Sequence, residues 1–207
     1  MMKFLFALIL LIMPFTASAQ SQNISIDGDH GKLSAVLQTP DTQKKYPLVI
    51  ICHGFTANKE HLLLTSLADD LETRGIASIR FDFNGHGQSD GDFQDMTVLN
   101  EIEDAKKVYD YASALSAVTS ISIAGHSQGG VVASMVAGEL GAKKIKAVVL
   151  MAPAAVLRDD AIRGNLMGMT YDSLNPPEFV EIHTPHGNYN VGRNYIKTAQ
   201  VLPIYET

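Results

Sequence analysis

Residues 121–137 restrict this chain more than any other stretch. Ile121-Ser122-Ile123-Ala124 is a short run rich in β-branched residues, Gly125-His126-Ser127-Gln128-Gly129-Gly130 is a turn dense in glycine, and Val131 to Ala137 is apolar over a helical length. Strand, sharp turn and helix in that order form the setting a nucleophile elbow needs, with Ser127 at its tip. Side chains two residues before and after such a serine would strike the neighbouring elements, and Gly125 and Gly129 remove them. The first turn of the helix also points unpaired amides at the serine, which favours negative charge developing there. Ser127 is therefore the expected nucleophile and the Gln128 N–H one expected oxyanion donor.

The remainder of the chain supplies a matching scaffold. Ile24 and Ile26 alternate with polar residues, Gly28-Asp29-His30-Gly31 turns, and Leu33, Ala35 and Leu37 alternate again up to Pro40, which reads as an antiparallel hairpin. Residues 48–52 are apolar without alternation and suit a strand covered on both faces. His53-Gly54-Phe55 leaves that strand as a loop, a position that commonly supplies the second oxyanion donor from the residue after the glycine, here Phe55 N–H. His53 itself is expected to bond backbone, because the donor role needs no imidazole. Leu64, Leu67, Ala68 and Leu71 repeat at helical spacing, closed by Arg74-Gly75. A strand at 76–81 opens onto a glycine-rich loop in which His86 and Asp90 are read as fixing their own backbone. Thr97 is the expected cap of a helix whose buried face is Ile102, Ala105, Tyr109 and Ala112, with Glu101, Glu103 and Asp104 placed early to complement the dipole. A last strand follows at 147–151. Strands alternating with helices predict an α/β fold with a mostly parallel sheet and helices on both faces.

Composition bounds the function. At 207 residues, 46% of them hydrophobic and 18% charged, one domain with a sizeable core is expected, and a net charge of −6 leaves no basic surface for nucleic acid. The single cysteine, Cys52, excludes an intrachain disulfide and reads as a buried thiol. Lys3, the apolar run 4–13, Pro14 and Ala17-Ser18-Ala19 have the order of a secretory signal. Cleavage after Ala19 sends a chain of net charge −7 to the periplasm or exterior, with no membrane attachment afterwards.

The segments HGFTANKEH, FDFNGHGQSDGDF, GHSQGG, APAAVLRDDAIRGN and NYIKTAQVLPIYE, taken in order, resemble α/β-hydrolases of the cinnamoyl or feruloyl esterase type. The resemblance runs from about Asn23 to the end. It implies a Ser-His-Asp hydrolase of hydroxycinnamoyl and similar short acyl esters, with Ser127 as nucleophile, Phe55 and Gln128 as oxyanion donors, and no cofactor. It divides the chain into a signal (1–19), an α/β-hydrolase core (20–152) and a cap insertion (153–207), whose Asp160 and Tyr195 match residues that meet the phenolic end of the substrate. The proline- and glycine-rich segment 152–207 is expected to be long and irregular.

One departure accompanies the resemblance. In α/β-hydrolases the acid and the base follow the serine on later loops, and no segment here after Ser127 reads as strand, acidic loop, strand and histidine loop. On this reading the last strands of the fold are absent, the chain is C-terminally incomplete, and turnover is impaired. His183 and His186 are the remaining imidazoles that could serve as base, and as a metal pair their pattern is too sparse. An exposed apolar sheet edge is expected to bring poor solubility or self-association. The alternatives are a vestigial binding protein without catalysis, or a serine peptidase or acylglycerol lipase on the same scaffold.

Overall fold

In a computed structural model that describes residues 20–40, 44–185 and 187–204, one six-stranded sheet carries the chain. The signal reading of 1–19 and the residue His186 fall outside the described residues. The hairpin of β1 (Gln20–Asp27) and β2 (Lys32–Thr39) is antiparallel, pairing Ile24 with Ala35 and Ile26 with Leu33. β2 lies antiparallel on β4 (Ala77–Phe81), and from there β3 (Tyr46–Cys52), β5 (Val118–His126) and β6 (Ile145–Met151) continue in parallel, giving the order β1-β2-β4-β3-β5-β6. The chain is an α/β fold with a mostly parallel sheet, as its strand and helix alternation requires.

The unalternated run in β3 is explained by two covering layers. Leu48, Ile50 and Cys52 point into the main core beneath α2 (Val98–Ala114) and α3 (Gln128–Leu140), whereas Ile51 meets Leu64 and Ala68 of α1 (Leu62–Thr73) on the other face. Each fully buried Leu or Ile there contributes about 1.5–3 kcal/mol. Thr97 caps α2 as expected, its Oγ1 accepting the Asn100 N–H at 3.2 Å. Burial also pushes the Cys52 thiol far above its usual range, so it stays protonated. Two acids of α2 depart from the sequence reading. Glu101 and Asp104 complement the helix start by position, yet their side chains are buried at 2% and 0% exposure.

β6 differs from the other parallel strands. Among the described residues it pairs only with β5, and consecutive residues Val148, Val149 and Leu150, which face opposite sides, are 42–48% exposed.

Residues 153–204 are more regular than their prolines and glycines suggest. They fold as α4 (Leu157–Arg163), the short pair β7 (Asn165–Leu166) and β8 (Met169–Thr170), the hairpin β9 (Phe179–Thr184) with β10 (Gly187–Gly192), and α5 (Arg193–Gln200). Val180, Ile182 and Val191 of the hairpin and Tyr195, Ile196 and Ala199 of α5 are buried. The prolines and glycines mark the joints of this cap, and the segments between them keep ordinary period-two and helical patterns.

Candidate active site

β5 ends and α3 begins with one residue between them, and that residue is Ser127. Its backbone stands at φ 54° and ψ −121°, a conformation that costs a non-glycine residue on the order of 1–3 kcal/mol and has to be enforced by its surroundings. Three backbone segments meet there without side chains between them. A β-carbon on Gly125 would come within 1.9 Å of the Gly129 carbonyl oxygen, and one on Gly129 within 2.3 Å of the His53 carbonyl oxygen. The turn is pinned further by the Ser127 N–H, which donates to Met151 O at 3.0 Å, and by the Ser127 carbonyl, which accepts from Gly130 and Ala154.

The loop leaving β3 lies against this turn. A β-carbon on Gly54 would be 3.1 Å from Ser127 Cβ, so Gly54 abuts the serine and Phe55 follows it into the same pocket. Among the described residues the Phe55 N–H has no backbone acceptor, and Gln128, as the first residue of α3, has no carbonyl four places back within the helix. The amides of Phe55 and Gln128 thus both lie beside Ser127.

Both flanks are anchored from behind. On the Phe55 side, the Lys59 N–H and ammonium both donate to Asp82, at 2.6 and 2.8 Å, and the ammonium also reaches Gln88 at 2.9 Å. Gly87, at φ +52°, leaves room for the carboxylate, since a β-carbon there would be 2.3 Å from it. His53 adds a second tie. Its Nε2 accepts the Phe83 N–H at 3.2 Å, which leaves the proton on Nδ1 to be donated to Gly54 O at 2.8 Å. Burial lowers its pKa to about 4, so the ring is neutral and holds backbone. On the Gln128 side, the side-chain amide donates to Glu101 at 2.8 Å and accepts from the Tyr195 hydroxyl at 2.6 Å.

Ser127, Phe55, Gln128, Asp160 and Tyr195 all line one solvent-open pocket between body and cap, with a cavity volume of about 120 Å³. Its walls are mainly apolar, with Leu157 and Leu166 from the cap and the Phe55 and Tyr195 rings 5.5 Å apart. The hydroxyl of Tyr195 is given to Gln128, so what this residue presents to the pocket is a ring rather than a free polar group. Sequence reasoning missed Glu101 and Lys59, both polar and both buried within this architecture.

Neither His86 nor His183 lines the Ser127 pocket. His86 is buried with its Nδ1 3.3 Å from Asn84 O, burial lowering its pKa to about 3, and Asp90 accepts the Lys32 N–H. His183 is exposed on β9, bonded to Asn188 at 2.9 Å, and is not part of the pocket. Among the described residues no imidazole or carboxylate bonds Ser127 Oγ, and no group of three or more metal-ligating side chains is present.

Residues 43–175 match the family model described as serine aminopeptidase, S33. The solved structure of Est1E from Butyrivibrio proteoclasticus with ferulic acid bound is 37% identical with a TM-score of 0.82, covering 87% of this chain and 72% of that one. XC6422 from Xanthomonas campestris, described as an α/β serine hydrolase without lid, is 25% identical with a TM-score of 0.58, covering 66% of this chain and 62% of that one. An uncharacterized 31.7 kDa Escherichia coli protein from the traX-finO intergenic region is 32% identical over 80 residues, 39% of this chain and 28% of that protein. The chain thus spans under a third of the length of that relative.

Proposed function

We propose that this chain, which belongs to the α/β-hydrolase family matched by the serine aminopeptidase S33 model and resembles feruloyl esterases, acts on carboxylic esters through Ser127. The observation that carries the proposal is the strained Ser127 between β5 and α3, with the amides of Phe55 and Gln128 beside it at the mouth of an apolar pocket. Ser127 Oγ bonds to the acyl carbon and gives up its proton to solvent, and the carbonyl oxygen, as it becomes anionic, takes the two N–H groups. The ester C–O bond breaks to release the alcohol with a proton from solvent, and water then hydrolyses the acyl-serine to the free acid. The acyl group lies against the paired rings of Phe55 and Tyr195, and Asp160 accepts a hydrogen bond from the phenolic hydroxyl of a hydroxycinnamoyl substrate. The relative with ferulic acid bound supports that substrate class.

Hydrolysis of p-nitrophenyl acetate and methyl ferulate by the wild type and by Ser127→Ala tests the reaction. Loss of both activities in the variant is the expected result, and an aminoacyl p-nitroanilide in parallel separates esterase from peptidase. Asp160→Ala is expected to lower kcat/KM for methyl ferulate about tenfold, the worth of one hydrogen bond to a charged acceptor, and to leave the acetate ester unaffected.

One observation favours a second reading. Ser127 Oγ needs a proton acceptor, and none among the described residues bonds it. A binding protein that retains the pocket without turnover gives equal, near-background rates for wild type and Ser127→Ala, together with measurable affinity for ferulate. Residues 1–19 support export, and N-terminal sequencing of protein from the periplasm or medium, expected to begin at Gln20, tests it.

A further inference from the structure

Glu101 is an unusual occupant of its position. It lies in the first turn of α2, 2% exposed, and among the described residues its side chain makes one hydrogen bond, the Gln128 side-chain amide donating to its Oε2 at 2.8 Å. The nearby ionisable groups are Asp104 on the same helix, Cys52 on β3 and Tyr195 on α5, none of them a cation. A carboxyl in such surroundings stays protonated more readily than usual, and burial, with Asp104 adding to it, pushes its pKa up to about 8. An uncharged carboxyl still accepts through its carbonyl oxygen, so the bond to Gln128 survives neutralisation.

What this carboxyl controls lies one bond further on. Gln128 has an amide of two unlike ends, and with Glu101 taking its NH2 group the oxygen is left facing Tyr195, whose hydroxyl donates to it at 2.6 Å. Gln128 is 2% exposed and Tyr195 4% exposed, so water does not compete for either bond. The series Tyr195–Gln128–Glu101 therefore joins three helices, α5 of the cap, α3 of the serine turn and α2 of the body. We propose that Glu101 is a positioning residue that, through Gln128, latches cap helix α5 onto the residue beside Ser127 and so fixes the distance between the two walls of the acyl pocket. As a statement about ligand binding this rests on the esterase reading above; as a statement about the cap it does not.

The test uses the full chain and two readouts. Hydrogen–deuterium exchange followed by peptide mass spectrometry reports how firmly residues 193–200 are held, and calorimetric titration with ferulic acid reports the pocket. Glu101→Leu, close in volume but without an acceptor, is expected to speed exchange over 193–200 by about tenfold with β3 and β4 unchanged, and to weaken ferulate binding by a similar factor. Glu101→Gln, which keeps an acceptor oxygen, is expected to stay within about threefold of wild type on both readouts. Rescue by Gln with local loosening by Leu supports the latch. Unchanged exchange over 193–200 in Glu101→Leu, or Gln and Leu variants that behave alike, overturns it. Should Glu101→Leu fail to fold, Tyr195→Phe removes one oxygen from the far end of the series and decides by the same exchange measurement. A wild type that does not bind ferulate defeats the substrate reading alone, because the exchange pattern still decides the latch.

Discussion

Asp82 and Glu101 are equally hidden from water, at 0% and 2% exposure, and each stands behind one of the two amides flanking Ser127, yet only Asp82 has a cation beside it. Lys59 reaches Asp82 with both its ammonium and its backbone N–H, and the Gln88 N–H completes the set, so the loop bearing Phe55 is tied by an ion pair whose charges are fully used. Glu101 has an amide instead. A buried charge pair is costly to break, whereas a buried carboxyl without a cation is held by a weaker neutral bond. The Phe55 side is accordingly fixed, and the Gln128 side, with the cap attached to it, is adjustable.

The largest expected effect breaks the fixed side. Lys59→Met leaves Asp82 buried without its cation and should cost about 3–5 kcal/mol in denaturant unfolding; a loss below 1 kcal/mol would mean that the pair is not what holds the loop. A comparable effect, spread over several pH units, sharpens the adjustable side. Glu101 titrates at about 8 in the fold and near 4.5 when unfolded, so the protonated form is the one favoured by folding. Its contribution is full below pH 4.5 and is lost as pH rises towards 8. Asp104, raised by burial to about 6, acts in the same direction over a lower range, and His53, lowered to about 4, gains stability in the opposite sense up to pH 6.5. Subtracting the stability–pH curve of Glu101→Gln from that of wild type isolates Glu101, and the difference should fall by up to about 1.4 kcal/mol per pH unit between pH 5 and 8. A flat difference curve would place an ionised carboxylate there and make the two sides alike. The smallest change is Tyr195→Phe, expected to cost about 0.5–1.5 kcal/mol because one neutral hydrogen bond is lost.

The same contrast explains what could be read from the residues alone. The β1–β2 hairpin and the α1 face are set by neighbours close in sequence, whereas β3 and the Ser127 turn depend on distant partners but leave a local mark, an unalternated apolar run and a pair of glycines. Glu101 was legible only as a charge at a helix start. Its burial is decided by Gln128, 27 residues away, and by Tyr195 on a helix that arrives last, and no local pattern carries that information. The cap was misjudged for a different reason. Five prolines and four glycines hid a plain alternation at Val180 and Ile182 and a helical spacing at Tyr195, Ile196 and Ala199, signals that were present and outweighed by the residues at the joints.

The glycines at 125 and 129 answer to clearance between three backbone segments, not to anything the Ser127 hydroxyl does. A descendant that ceased to turn over substrate could shed the hydroxyl freely, yet would keep both glycines for as long as it kept the sheet. The five-residue signature is therefore inherited as architecture first, and it can outlive the chemistry for which it is usually read.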